Sequence, residues 1–440
     1  MKIDKSIKIN INIIAHDGVT SLYTGVGRMV LDSISVLTRK NILPFKYTVN
    51  AITGKYSKEC LGYSEKIKQL STKSIQSTGG DIYECINTSS GNVSYGTPNH
   101  WNASSISAAT IIKIISSKKT VNINLCFDTP FASVPKHFQQ YQDTNNIFVW
   151  IPHSTGKLHK IDSAINSSES YSDVRLKWEQ DCIDYVNMSN NSYVGYIGEF
   201  MKKHLSKMYK THKNKLIDFT NGLDIDNERY ANKLSQKQIE IILKKNDIPT
   251  NLPLVLAFGR LEPYKGFYRV IKIGGKLDKY GYKTLLLSQP YSKNDPLINK
   301  YKLLMRKYNP NGIFLYEKFT FDLPHILMQW HNTKILLIPS MVEPFGLIVN
   351  EARMYRNTNV LIAASNVDGL PEQINNGVDG FLIDFNQIEN AVQKLLEMSK
   401  ERNNDFIKIT SNGYQRVLKN YDLKNNLSHS ILHLINICKK

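Results

Sequence analysis

Cysteine is scarce in this chain of 440 residues. Cys60, Cys85, Cys126, Cys182 and Cys438 lie far apart, are odd in number and form no C-x-x-C pair. That argues against a disulfide framework or zinc site, and for small core residues in a reducing cytoplasm. Long apolar runs are missing too. No stretch approaches about 18 consecutive apolar residues, so no membrane-spanning helix is expected. The first residues do not read as a signal peptide, because Asp4 sits in the charged start and Asn10 and Asn12 interrupt the isoleucines. Acid is in deficit: 56 Lys+Arg stand against 38 Asp+Glu, a net charge of +18. Residues 1–218 hold 26 basic and 17 acidic residues, so the excess is spread evenly. Such a balance favours anionic partners (phosphates, acidic glycans, lipid head groups or nucleic acid) without choosing among them. With 24 Gly, 15 Pro and 41% hydrophobic residues, the composition excludes a disordered, collagen-like or coiled-coil chain. The length suits two domains of about 200 residues each.

No fixed-length repeat is present; strand-like and helical runs alternate instead. Ile7, Ile9, Ile11 and Ile13 alternate as in a strand. A loop over 16–27 follows, then Met29, Val30, Ile34 and Leu37 at helical spacing. Further strands are expected at 120–127, 147–151, 252–258, 282–287, 313–316, 335–338 and 360–364, and helices at 267–277, 347–355 and 423–437. Alternating β and α units imply parallel sheets covered by helices, here two doubly wound Rossmann-like domains. The junction falls within 218–251, where Asn221-Gly222 and Pro249 mark loops.

Two segments carry the chemistry. In Ser340-Met-Val-Glu343-Pro344-Phe345-Gly346-Leu347, continuing to Glu351, a strand runs into a Pro-Ser loop and Gly346 opens a helix. A helix opening offers free N–H groups and a positive dipole end to an anion. Glu343 and Glu351 would repel phosphate, so sugar hydroxyls are their natural partners. In Gly259-Arg260-Leu-Glu-Pro-Tyr-Lys265-Gly266, a second strand ends in a loop bearing two cations, where open α/β sheets bind ligands. A guanidinium fork and a point charge suit a diphosphate. The bland alternative is four exposed helix-end and surface charges.

In these segments the chain resembles a nucleotide-sugar-dependent glycosyltransferase of the GT-B fold, in the large retaining family that the glycosyltransferase classification numbers four. Glu343 and Glu351 match its Glu, seven residues, Glu motif. Gly259, Arg260, Lys265 and Gly266 match its G-R-x-x-x-x-K-G motif. Asn221-Gly222-Leu223-Asp224 matches its N-G-hydrophobic-D element at the domain junction, and Asp368-Gly369-Leu370-Pro371-Glu372 and Gly377-Val-Asp-Gly380 match its later loops. The resemblance is dense over residues 190–385 and thin over 1–145. It implies that Arg260 and Lys265 hold the donor diphosphate, that Glu351 binds the donor ribose, and that Glu343 faces the sugar. Gly259, Ser340, Pro344, Phe345, Gly346 and Leu347 would line the donor site. It implies no metal or other cofactor, the two cations standing in for a metal, and retention at the anomeric carbon.

The first half offers further candidates. Gly25-Val-Gly27, between the first strand and helix, resembles the family's Gly-rich loop near the donor phosphates, except that Val26 separates the glycines. A turn-glycine pair is the alternative. His153, at a strand end, resembles the family's histidine at the donor sugar; a structural histidine is the alternative. Asp128 ends another strand and reads as an acceptor-side base or, more simply, a turn-capping carboxylate. His16 joins it as an acceptor-side candidate. Residues 201–215, with six lysines and no acid, read as a basic amphipathic helix, for an anionic membrane or acidic acceptor, or as a solvated lysine face.

The expected whole is thus an acceptor-binding domain at 1–220, with a C-terminal helix of about 420–440 packing back on it, and a nucleotide-sugar-binding domain at 221–420, the two facing each other across a cleft. The expected activity is transfer of a sugar to a hydroxyl of a glycan, lipid-linked or small-molecule acceptor. Modification of nucleic acid, or donor binding without catalysis, is the alternative. The expected location is cytoplasmic, with the basic charge able to touch a membrane surface or nucleic acid.

Overall fold

The computed structural model describes residues 8–55, 58, 62–86, 98–117, 119–143, 145–158, 169–231, 233–290, 292–316, 322–355, 360–399 and 403–437. The chain divides into two compact units. Unit 1 comprises Met1–Asp224 and Tyr421–Lys440, and unit 2 comprises Ile225–Asn420. Each is an all-parallel sheet with helical crossovers. This bears out the two doubly wound domains read from the alternating pattern.

In unit 1, β1 (Lys8–Ile14), β2 (Tyr47–Gly54), β3 (Ile82–Cys85), β4 (Thr120–Phe127), β5 (Asn146–Ile151), β6 (Ser192–Tyr196) and β7 (Leu216–Asp218) lie in the order β3-β2-β1-β4-β5-β6-β7. The strand order reverses between β1 and β4, which opens a crevice at their carboxyl ends. Isoleucines of β1 are buried on both faces, as crossover helices require. The asparagines between them are buried as well. Asn12 donates to Asn124 on β4 at 2.8 Å and accepts from Asn50 on β2 at 2.9 Å. Asn10 donates to Asn122 at 3.0 Å. Asn10 and Asn12 stand opposite Asn122 and Asn124 in the strand register. A slip of one residue would set the buried amides opposite Val121, Ile123 or Leu125 and leave them unsatisfied, so the ladder specifies register.

In unit 2, β8 (Leu254–Arg260), β9 (Lys283–Gln289), β10 (Ile313–Leu315), β11 (Thr333–Ile338), β12 (Leu361–Ser365) and β13 (Phe381–Ile383) lie in the order β10-β9-β8-β11-β12-β13. The switch point is between β8 and β11. The helix Phe267–Leu277 buries Phe267, Val270, Ile271, Ile273 and Leu277 against this sheet. Among the described residues, no helix is long and apolar enough to cross a membrane.

The last helix, Leu423–Ile437, belongs to unit 1. The returning chain meets the Asn221–Asp224 segment, where Leu223 N donates to Tyr421 O at 2.8 Å and Leu423 N to Leu223 O at 3.0 Å. A Cβ on Gly222 would lie 2.6 Å from Tyr421 O, which explains the glycine there. Asp224 is buried and paired with Arg39.

Two expectations need correction. The basic stretch is not one helix to residue 215. The helix Glu199–Met208 stops early: Lys210 takes a left-handed φ of 56°, and a short 3-10 turn, Lys213–Lys215, follows. Met201, Leu205 and Tyr209 pack inward and Met208 is exposed, so this face serves its own unit. Gly25 and Gly27, read as loop, are already in the first turn of the helix Gly25–Leu37. Cys85, Cys126 and Cys182 are buried free thiols; Cys60 and Cys438 lie outside the described residues.

Candidate functional site

In unit 2 three loops converge at the carboxyl edge, from β8, β11 and β12. Gly266 adopts φ +67°, and a Cβ there would lie 2.2 Å from the carbonyl oxygen of Pro339. That close approach brings the β8 loop against the β11 loop. Met341 N donates to Tyr264 O at 2.7 Å, and Arg269 donates to Pro339 O at 3.1 Å. Gly266→Ala adds left-handed strain to a backbone collision. It is expected to destabilise unit 2 by at least about 2 kcal/mol, read from urea unfolding.

The consequence is an ion pair across 78 residues of sequence: Lys265 Nζ lies 2.7 Å from Glu343 Oε2. Both side chains are largely buried. Burial alone would lower the Lys265 ammonium, but the adjacent carboxylate overrides it and holds the pKa above the usual lysine range. Ser340 Oγ donates to the same carboxylate oxygen at 3.2 Å. Glu343 N donates to Asp368 at 2.8 Å, and Gly369 N donates to Glu343 O at 3.1 Å. Burial raises the Asp368 carboxyl pKa, the Glu343 N–H opposes this, and the Glu343 charge adds to it. Arg260 donates to the Tyr264 hydroxyl at 2.6 Å, with Glu262 3.9 Å away. Gly259, at φ +149°, lets the chain turn between the strand and these side chains. Pro344 and Phe345 lead into Gly346, whose φ of +93° opens the helix Leu347–Arg353. One turn along, Glu351 faces His325 at 4.0 Å. The loop bearing Gly377 and Gly380 is held through Asp379, which pairs with Arg353 and Arg416 at 2.7 and 2.9 Å.

Unit 1 gathers its candidates at the carboxyl ends of β1, β4 and β5. His16 is buried just past β1. Its neighbour Asp17 organises the following loop: Oδ1 accepts from Gly18 N and Ser21 Oγ, and Oδ2 from the N–H groups of Tyr23 and Thr24 and from Thr24 Oγ1. Gly27 leaves room for that carboxylate, since a Cβ would lie 2.2 Å from Asp17 Oδ2. Gly25 is exposed, with open space at its Cβ position.

Asp128 does not cap the following turn; its side chain makes no cap hydrogen bond. Its backbone sits at φ 62°, ψ −177°, a region nearly reserved for glycine. The conformation is held by Asp128 N to Ile151 O at 3.0 Å and by Trp150 Nε1 to Asp128 O at 3.0 Å. His153 stacks on Phe127 with centroids 5.8 Å apart. Burial lowers its pKa, opposed by Asp128, the Ile151 carbonyl and Asn221.

Sequence reading missed what ties these two loops together. Glu179 is fully buried. It accepts from Thr129 Oγ1 (2.9 Å), Arg175 Nε (2.7 Å), Gly156 N (2.7 Å) and the Tyr209 hydroxyl (2.7 Å). Arg175 also donates to Ser154 O at 2.9 Å and lies 3.8 Å from Asp128. The i,i+4 spacing of Arg175 and Glu179 was the available signal. Next to this network, His204 Nε2 lies 2.8 Å from Thr155 Oγ1. Burial, with help from Lys157, lowers its pKa from 6.5 to about 4. Because the folded pKa is depressed, full stability holds above pH 6.5 and is lost as the pH falls towards 4. Between pH 7 and pH 5 the wild type should lose about 2 kcal/mol that His204→Gln does not, measured by urea unfolding at both pH values.

Residues 238–416 match the family model described as glycosyl transferases group 1. Trehalose synthase of Pyrococcus horikoshii is 27% identical over 245 residues, 52% of this chain and 53% of that protein. The chain spans about half the length of the curated relatives it matches first. Among solved structures, sucrose-phosphate synthase from Thermosynechococcus elongatus superposes with TM-score 0.71 at 15% identity, covering 99% of this chain and 100% of the other. Anabaena HepE in complex with UDP-glucose superposes with TM-score 0.67 at 15% identity, covering 97% and 99%. The fold is that of the GT-B glycosyltransferases.

Proposed function

We propose, from a chain with the GT-B fold whose residues 238–416 match glycosyl transferases group 1, that it transfers a glycosyl group from a nucleotide-sugar to an acceptor hydroxyl. The observation that carries this reading is the meeting of Arg260, Lys265 and Glu343 at the β8/β11 switch point of unit 2. Open α/β sheets bind nucleotides at such a point. In the reaction the bond from the anomeric carbon to the diphosphate oxygen breaks. A bond to the acceptor oxygen forms, and the acceptor proton leaves with the diphosphate or to a base.

Negative charge grows on the departing diphosphate, and Arg260 and Lys265 are preorganised cations for it. Glu343, already turned toward this loop edge, accepts hydrogen bonds from sugar hydroxyls once a diphosphate takes over Lys265. Glu351 accepts from the ribose hydroxyls. The acceptor side is assigned to unit 1, where His16 and Asp128 stand at neighbouring strand ends, and His153, at the next strand end, is assigned to the donor sugar. A lowered pKa keeps the His153 imidazole neutral at pH 7, able to donate at one nitrogen and accept at the other. We assign retention at the anomeric carbon, as a same-face displacement in which the departing phosphate takes the acceptor proton. A hydroxyl of a glycan, a lipid-linked sugar or a small molecule fits that chemistry.

A thermal-shift and nucleotide-release screen against UDP-, GDP-, ADP- and dTDP-sugars tests the reading, starting with UDP-glucose in view of the Anabaena HepE complex. One donor should raise the melting temperature and release its nucleotide slowly in water. No shift and no release with any of them overturns it. Glu351→Ala should then weaken nucleotide binding about tenfold with a smaller change in kcat, measured by titration and steady-state kinetics.

A further inference from the structure

We propose that Tyr264 is a positioning residue that holds both donor-site cations at the spacing a diphosphate requires; this rests on the reading of Arg260 and Lys265 just given. Tyr264 falls on one of the unspecified positions between Arg260 and Lys265, so the motif itself gives it no role. The structure gives it three. Its hydroxyl accepts from the Arg260 guanidinium at 2.6 Å. Its ring centre lies 5.5 Å from Lys265 Nζ, within cation–π range. Its carbonyl accepts from Met341 N at 2.7 Å, anchoring the residue to the loop that carries Glu343.

The side chain is 8% exposed, so ring and hydroxyl are set by packing. Burial raises the phenol pKa, and the hydroxyl remains neutral beside the guanidinium. Arginine and lysine have long flexible stems, and each would otherwise pay to be ordered when the diphosphate arrives. One rigid aromatic ring, fixed before binding, orders both.

The test compares Tyr264→Phe, Tyr264→Leu and Arg260→Ala with the wild type. Titration with UDP, GDP, ADP and dTDP first identifies the diphosphate that the wild type binds. Tyr264→Phe keeps the ring under Lys265 and removes only the Arg260 tether, so that diphosphate should bind about tenfold more weakly and kcat/KM should fall by a similar factor. Tyr264→Leu removes the ring contact as well and should fall further. In an Arg260→Ala background Tyr264→Phe should change nothing, because the tether has no partner left. A merely structural tyrosine would give equal losses in both backgrounds. Wild-type affinity in a folded Tyr264→Phe protein, or equal losses in the two backgrounds, overturns the proposal while leaving the donor site intact. Failure of the wild type to bind any of the four diphosphates removes the donor reading, and the proposal with it.

Discussion

Lys265→Ala is expected to lower kcat/KM by about 10²–10³-fold, the loss typical of removing one preorganised donor to developing negative charge. Two effects combine in that figure. The diphosphate loses a cation, and Glu343 loses the partner 2.7 Å away. An unpaired, largely buried carboxylate then stands where the diphosphate should come and repels it. The two parts separate in a double-mutant cycle with Glu343→Gln. If repulsion contributes, Lys265→Ala should cost less when Glu343 is already neutral, so the cycle should show coupling of about 1 kcal/mol or more. Steady-state kinetics with the donor found in the screen supplies all four values. Near-normal kcat/KM in a folded Lys265→Ala protein would mean that this lysine does not hold the diphosphate.

Glu179→Ala is expected to destabilise unit 1 by about 3–5 kcal/mol, because breaking a buried ion pair leaves an uncompensated charge. Here that charge is the Arg175 guanidinium, which would retain the Ser154 carbonyl and lie near Asp128. The Thr129 and Tyr209 hydroxyls and the Gly156 N–H lose their acceptor in the same step. Urea unfolding followed by tryptophan fluorescence measures the change, since Trp150 lies in β5 and Trp178 donates to Thr129 O beside the network. Replacing both members, as in Arg175→Met with Glu179→Leu, should restore part of the loss, because the charges of the pair are gone together, but not all of it, because the buried Asp128 carboxylate loses the guanidinium 3.8 Å away. A loss below about 1 kcal/mol in Glu179→Ala would mean that water replaces the carboxylate at no cost.

Arg260, Lys265, Glu343 and Glu351 were legible because the chemistry sits in short segments, each flanked by a strand and a helix. Thr120–Phe127, Phe267–Leu277 and Leu423–Ile437 were legible to the residue, because each carries an unbroken apolar pattern with clear ends. Strands β2, β3, β6, β7 and β13 were not read. They are short, or mix polar with apolar residues, and each becomes a strand by pairing with a neighbour. Residues 201–215 misled for the opposite reason: helical spacing continues on paper past the point where Lys210 turns the backbone left-handed. Asp128 misled because carboxylates after strands so often cap turns; its strained backbone has no signature in one dimension.

By itself the sequence determined the alternation of strand and helix, hence two parallel sheets, and it placed glycines and charges at their carboxyl ends. These follow from local chain geometry, since a period of 2 or 3.6 is written in adjacent residues. Tertiary structure decided the partners. Lys265 meets Glu343 because Gly266 admits Pro339; Asn12 meets Asn50 and Asn124 because β1 lies between β2 and β4; Glu179 joins two loops because β4 and β5 are neighbours. Such pairings depend on distances through space, and those are set by packing whole sheets and helices against each other, for which no single segment carries the information.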